Sequence, residues 1–198
     1  ALTVDKGVQD CLDAVARVAA AGLNLTMSFA GPGDVAAWQD AAARLGIAKR
    51  VRFLGIVPNG EVRRMMREHD IMVVPSRHGY AEGLPNTIYE ALAARSPLIV
   101  SDHPAFRGRL AVGTQCLQFP AGNAPALADA MTRLCRDRQL YAMLSSNAVQ
   151  ALDQIHVGIE WHSLVGHFLD DPHDGTGWVG RHALTALSGV ADRAVDNP

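Results

Sequence analysis

The hydrophobic positions of this chain alternate between two spacings. In "VQDCLDAVARVAAAG" apolar side chains recur at Val8, Leu12, Val15 and Val18, a helical stripe closed by Gly22. "LTMSFAG" follows as a short apolar run ending in glycine, which predicts a strand. The pair then repeats: "DVAAWQDAAARLG" and "VRFLG", "GEVRRMMREHD" and "IMVVP", "PNTIYEALAAR" and "PLIVSD". "CLQF" is a weaker strand ahead of helices running from Pro125 to Leu152. Continuously apolar strands separated by helices of about ten residues or more predict a parallel sheet covered on both faces. The fold class is therefore α/β, a doubly wound parallel sheet.

The pattern weakens at both ends. The first helix begins close to the amino terminus with Asp5 placed as its cap, so the strand that feeds it is either "ALTV" or lies upstream of Ala1. The opening on Ala1 reads as an excised piece or a processed product. Near the other end "DDPHDGTGWVG" is rich in turn formers, and "RHALTALSGVADRAVDNP" resumes the helical period only faintly. The reading divides the chain into a domain with C-terminal helices, residues 1–169, and a tail, residues 170–198, open to proteolysis between Asp170 and Gly180.

Composition narrows the functional classes. With 48% hydrophobic and 19% charged residues the chain is ordinary globular material, and a net charge of -2 offers no bulk attraction to nucleic acid or to an anionic membrane. Any phosphate contact must be local. Three cysteines, Cys11, Cys116 and Cys135, are an odd count without metal spacing, which suits a reducing, cytoplasmic compartment. No apolar run approaches the roughly 20 residues of a membrane span. The eight histidines show no pair at metal-ligand spacing, so no metal site is expected. Trp38, Met65 and Met66 fall at helical core positions, and "RRMMRE" reads as an amphipathic helix.

In open parallel sheets, ligands sit beyond the carboxyl ends of the strands, where loops run into helix amino termini. Three such loops stand out. "GPGD" offers Gly31 and Gly33 for close backbone approach to a ligand, or is a simple turn. "IVPNGE" carries Asn59 as a helix cap. The third loop and its helix, "SRHGYAEGLPNTIYEALAARSPLIVSD", hold Glu82 and, eight positions later, Glu90. Pro85 suits the first helical turn, which leaves the amides of Asn86 and Thr87 free to meet an anion, and Gly83 permits close approach. Glu90 lies four residues after Asn86 and three after Thr87, hence on their face of the helix. Two acceptor-only carboxylates flanking a phosphate site suit hydroxyl groups such as those of a ribose and a sugar. A solvated Glu82 and a surface Glu90 are the plainer alternatives. Arg77 and His78 are further candidates beside the loop, Arg77 as an anion contact or as a solvated arginine.

"EGLPNTIYEALAARSPLIVSD" resembles the E-x7-E signature of the retaining GT-B glycosyltransferases of the glycosyl transferases group 1 type, family 4. "FAGPGD", "LGIAKRVRFLG" and "DIMVVPS" are similar to that family's other blocks in the same order, and the likeness runs from about Asp5 to Leu152. It implies the Rossmann-like C-terminal half of a GT-B architecture, whose partner is an N-terminal domain, with the tail crossing back to that domain. By the same resemblance Glu82 is the catalytic glutamate that touches the donor sugar, and Glu90 binds the ribose diol. Gly83 and Leu84 offer backbone amides to the diphosphate or sugar, Asn86 and Thr87 continue that contact, and Lys6 of "DKG" meets the diphosphate. The arginine that the family places just ahead of that lysine would precede Ala1, and Ser96 stands where glycine is common.

The implied function is transfer of a sugar from a nucleoside diphosphate sugar to a glycan, lipid or small-molecule acceptor, with retention of configuration. No cofactor is implied beyond the donor. The isolated chain is expected to be inactive. The implied location is cytoplasmic, including the inner membrane surface, with peripheral membrane contact through the N-terminal domain. The alternatives are a GT-B-type sugar-nucleotide epimerase, revealed by epimerised product without acceptor, and a non-enzymatic doubly wound binding module, revealed by indifference to nucleotide sugars.

Overall fold

A computed structural model describes residues 1–156, 158–171, 173 and 177–182. The chain separates into two compact units, Ala1–His156 and Val157–Pro198. The second contains α7 (Trp161–Asp170) and α8 (Trp178–His182), numbered in chain order after the elements given below. The helix at 161–170 thus groups with the carboxyl-terminal residues rather than with the preceding domain. Most of the proposed tail, and part of the proposed cleavage region, lies outside the described residues.

The first unit follows the predicted alternation. It runs α1 (Val8–Ala20), β1 (Met27–Ala30), α2 (Val35–Arg44), β2 (Val51–Gly55), α3 (Asn59–Arg67), β3 (Met72–Val74), α4 (Asn86–Ala93), β4 (Leu98–Ser101), β5 (Leu117–Phe119), α5 (Ala124–Arg136) and α6 (Arg138–Ile155). All strand pairs are parallel. Several boundaries are set by side-chain caps: Asp34 accepts from the Ala37 amide at 3.0 Å, Asn123 from Ala126 at 3.0 Å and Asp137 from Leu140 at 2.9 Å. Each satisfies a donor that the first helical turn leaves free.

Four local expectations are corrected. Asp5 does not cap α1: Gly7, at φ 73°, holds that position, and residues 4–7 form a turn closed by the Gly7 amide on the Val4 carbonyl. A side chain at Gly7 would drive its Cβ to 2.3 Å from the Pro75 carbonyl oxygen, so only glycine fits there. Asn59 is the first helical residue of α3 rather than its cap, a position held by Pro58, and its side chain makes no capping bond. Pro85 is the cap of α4, one residue outside the helix. The glycine-like position in "ARSP" is Arg95, with φ 59°, whereas Ser96 is buried and donates its hydroxyl to the Met66 carbonyl at 3.1 Å.

The sheet is in two pieces. β1 pairs with β2, and β3–β4–β5 form a separate three-stranded sheet. "ALTV" contributes only an isolated parallel bridge between Leu2 and Gly33. β4, central in its sheet, is buried along its whole length, with Ile99 packed in one core cluster and Leu98 and Val100 in the other. The first cluster joins α1 to α5 and α6 through Leu12, Val15, Leu127, Met131 and Leu144. The second joins β3 and β4 to α4 and α6 through Val74, Ile88, Leu92 and Ala148. These two layers hold α1 and α4 so that their amino termini open at the carboxyl ends of the strands.

Candidate functional site

A cleft of about 900 Å³ opens at that end of the sheet. Its mouth is lined by Lys6, Gly31, Ser76, Glu82, Thr87 and Glu90. The turn before α1 supplies Lys6, the loop after β1 supplies Gly31, and the loop after β3 with α4 supplies the rest. Residues from three separate loops thus meet as the topology of an open parallel sheet requires.

Glu82 is only 10% exposed, and its Oε2 receives both the Lys6 ammonium and the Ser76 hydroxyl, the latter at 2.8 Å. Ser76 is itself buried and fixed, because its carbonyl accepts the Ser101 hydroxyl at 2.6 Å. Lys6 also lies over the ring of Tyr80, with Nζ 4.2 Å from the centroid, a favourable position for a cation. The pairing rules out the reading of Glu82 as a solvated loop residue. Glu90, one turn into α4, is half-buried, and among the described residues its carboxylate has no hydrogen-bond or ion-pair partner. The backbone amides of Asn86 and Thr87 likewise make no backbone hydrogen bond, leaving the positive end of α4 directed outward.

Not every candidate reaches the cleft. Gly83, Leu84 and Asn86 stand beside the mouth in the loop and at the start of α4 without lining it, and Gly33 is engaged with Leu2. Arg77 faces elsewhere. Its guanidinium grips Asp10 of α1 through two bonds, 2.9 Å and 2.6 Å, and these hydrogen bonds donated to Asp10 raise its pKa further. His78 donates Nε2–H to Asp102 Oδ1 at 2.7 Å. Burial alone would raise the Asp102 pKa, but the Ala121 amide and His78 outweigh it and hold the carboxyl below its ordinary value. Among the described residues no cluster of His, Cys, Asp or Glu could hold a metal, and no helix is long and apolar enough to cross a membrane.

Sequence reading overlooked Ser76, Tyr80 and Asp10. Ser76 and Tyr80 sit within six residues of Glu82, so proximity was the available signal; Ser76 bonds Glu82 within the loop, and Tyr80 meets Lys6 only when the loop folds against the turn before α1. Asp10, in the first turn of α1, is buried against Arg77.

The class defined by this arrangement is a doubly wound domain with an anion-receptive helix terminus and two carboxylates at one cleft. The glycosyl transferases group 1 family matches residues 1–137, and the chain belongs to that family. It is 32% identical over 151 residues to a phosphatidyl-myo-inositol mannosyltransferase of Mycobacterium leprae, covering 75% of this chain and 39% of the relative. Over 158 residues it is 28% identical to a 2-deoxystreptamine glucosyltransferase of Streptomyces kanamyceticus, covering 79% and 38%. The chain therefore spans about two fifths of the length of these relatives. Its fold matches Anabaena HepE, solved in complex with UDP and glucose, at a TM-score of 0.74 with 22% identity, over 85% of this chain and 46% of that one. It also matches the C-terminal domain of a glycosyl transferase group 1 family protein, LpcC, from Francisella tularensis at a TM-score of 0.69 with 18% identity, over 77% and 80%. The last match is to an isolated C-terminal domain, the size class of this chain.

Proposed function

We propose that this chain is the donor-binding half of a glycosyltransferase that takes a sugar from a nucleoside diphosphate sugar and passes it, with retention of configuration, to an acceptor held by an N-terminal domain. The observation that carries the reading is the company of Glu90. It is an unpartnered carboxylate one turn inside α4, beside free helix-terminal amides and across one cleft from the Lys6–Glu82 pair. Amides and lysine suit the diphosphate, and a free carboxylate suits a ribose diol, since it only accepts hydrogen bonds. As the diphosphate leaves, Lys6 and the α4 terminus would stabilise its charge with groups already in place. Glu82 would exchange its lysine for the hydroxyls of the transferred sugar once the diphosphate engages Lys6.

The relatives' names include mannosyl, kanosaminyl and glucosyl transfer, so the reading stays at the class of nucleoside diphosphate sugars. HepE, which shares the fold, was solved with UDP and glucose, which makes a uridine donor the first to try. The phosphatidyl-myo-inositol mannosyltransferases favour testing a lipid headgroup as acceptor, which would place the enzyme at the cytoplasmic membrane surface.

Calorimetry of the chain with uridine, guanosine and adenosine diphosphates and their sugar conjugates tests the reading. One diphosphate should bind, without sugar transfer. Glu90→Gln should weaken the diphosphate and its conjugate alike. Glu82→Gln should weaken only the conjugate, because it releases Lys6 to the phosphates. A charge-assisted hydrogen bond is worth roughly 1.5–3 kcal/mol, so each effect is about tenfold or more. Equal loss of the bare diphosphate in both variants would reject the division of roles, and silence for all nucleotides would reject the donor site.

A further inference from the structure

Tyr80 does not line the cleft, and its ring bears on the site through Lys6. Both of its backbone polar groups are tied down. The amide donates to the Arg77 carbonyl at 3.0 Å, and the carbonyl accepts from His103 Nε2 at 3.0 Å. His103 is itself only 4% exposed, with Phe106 and His78 against its ring at centroid separations of 5.2 Å and 6.3 Å. Its Nδ1 accepts the Ala105 amide at 3.2 Å, so Nε2 is the nitrogen that carries a proton toward Tyr80. A buried histidine just after β4 thereby fixes a residue of the loop after β3.

The backbone of Lys6 is fixed as well. Its amide donates to the Thr3 hydroxyl at 3.2 Å, the Gly7 amide closes the turn on the Val4 carbonyl at 2.8 Å, and the Asp5 carbonyl receives the Arg77 amide at 2.8 Å. Turn and loop therefore hold one register, and the flexible part of the Lys6–Tyr80 pair is the lysine stem. Among the described residues the ammonium has two partners, the Glu82 carboxylate and the face of Tyr80.

These partners differ in what they demand. The carboxylate takes a hydrogen bond from the ammonium, and it is the partner that a diphosphate would replace. An ammonium released from it is a strongly hydrated point charge that would otherwise turn into water. An aromatic face attracts a cation by its quadrupole and takes no N–H donor in a directed bond. Tyr80 can hold Lys6 while leaving its donors for phosphate oxygens.

We propose, resting on the donor-site reading above, that Tyr80 is a positioning residue for Lys6. Its ring keeps the ammonium at the cleft mouth when Glu82 turns to another partner, and His103 fixes the ring by holding the Tyr80 carbonyl.

Proton NMR of the ligand-free 198-residue chain tests the hold itself. An aromatic ring current moves the ε-methylene protons of a lysine above it upfield. That shift should persist in Glu82→Ala, or in Glu82→Gln if the first variant misfolds, and should vanish in Tyr80→Leu. Its disappearance once the carboxylate is gone overturns the proposal. His103→Leu should reduce the shift and His103→Gln, which keeps a donor, should restore it; an undiminished shift in His103→Leu overturns the part given to His103. Calorimetry with whichever of the uridine, guanosine and adenosine diphosphates binds then reads the consequence. Relative to Tyr80→Phe, which keeps a ring, Tyr80→Leu should bind about threefold to fivefold more weakly. A trifluorinated phenylalanine at position 80 keeps the ring's shape but drains its negative face, so it should lose most of the same factor, and Lys6→Met should erase the difference. Affinity indifferent to fluorination would make the ring a space-filler and overturns the proposal. Failure of the parent chain to bind any of the three nucleotides rejects the donor site, and the NMR result still decides whether Tyr80 holds Lys6.

Discussion

Two ion pairs stitch the start of α1 to the loop after β3, and they differ in build. Arg77 holds Asp10 through two nitrogens, and the Asp10 carboxylate is 3% exposed. Lys6 meets Glu82 through one ammonium that is 25% exposed and rests on Tyr80. The Arg77 amide also donates to the Asp5 carbonyl at 2.8 Å, and Gly7 packs directly on Pro75, so the first pair belongs to a backbone seam. A planar, bidentate pair with a buried carboxylate gives up geometry and energy together when it opens. A lysine is a point charge on a flexible stem and can change partners at small cost. The seam fixes the loop, whereas the Lys6–Glu82 pair stands at the mouth of the cleft, where the proposed function would have it exchange its partners for a ligand.

The largest expected effect tests the seam. Arg77→Met should destabilise the first unit by about 3 kcal/mol, because it leaves the Asp10 carboxylate buried and unpaired. Arg77→Met combined with Asp10→Leu should recover much of that loss, as a buried pair is often replaceable by apolar groups of similar volume. Chemical denaturation of both variants measures the difference. A small loss in the single variant would mean that Asp10 reaches water, and the contrast between the two pairs would fall.

Lys6→Met probes the other pair. Partial exposure and a single contact should limit its stability cost to about 1 kcal/mol or less. Its effect on ligand should be larger, about tenfold weaker binding of a nucleoside diphosphate, in keeping with loss of one charge-assisted contact. A stability loss matching that of Arg77→Met, with nucleotide affinity unchanged, would make Lys6–Glu82 a second structural clamp.

The two pairs also show where sequence reading stops. The helices and the strands follow from periodicity, and the caps at Asp34, Asn123 and Asp137, which sequence reading did not name, rest on partners within a few residues. Lys6 and Glu82 are 76 residues apart, and Asp10 and Arg77 are 67 apart. No local spacing reports contacts that exist only after the sheet has formed. Asp5 and Asn59 fail as caps for a related reason. Gly7 must approach Pro75 and Pro58 ends the preceding loop, so tertiary packing and proline geometry displaced each helix start. The split sheet is a further case: hydrophobic runs announce strands but do not say which edges meet.

A third pair marks the weak end of the series. His78 and Asp102 are 50% and 37% exposed, joined by one hydrogen bond, with the Ala121 amide completing the carboxylate's shell at 2.8 Å. The Asp102 pKa is lowered in the folded chain, so its contribution is present above the unfolded value of about 3.9 and is lost as pH falls through the depressed folded value. Exposure keeps this contribution small. Asp102→Asn should therefore be slightly less stable than the parent at pH 6, and the two should converge as the pH is taken below the depressed folded value. Denaturation curves at a series of pH values read the convergence. An offset that persists unchanged in acid would trace to packing around Asp102 rather than to its charge, and would remove this pair from the electrostatic series that Arg77–Asp10 heads.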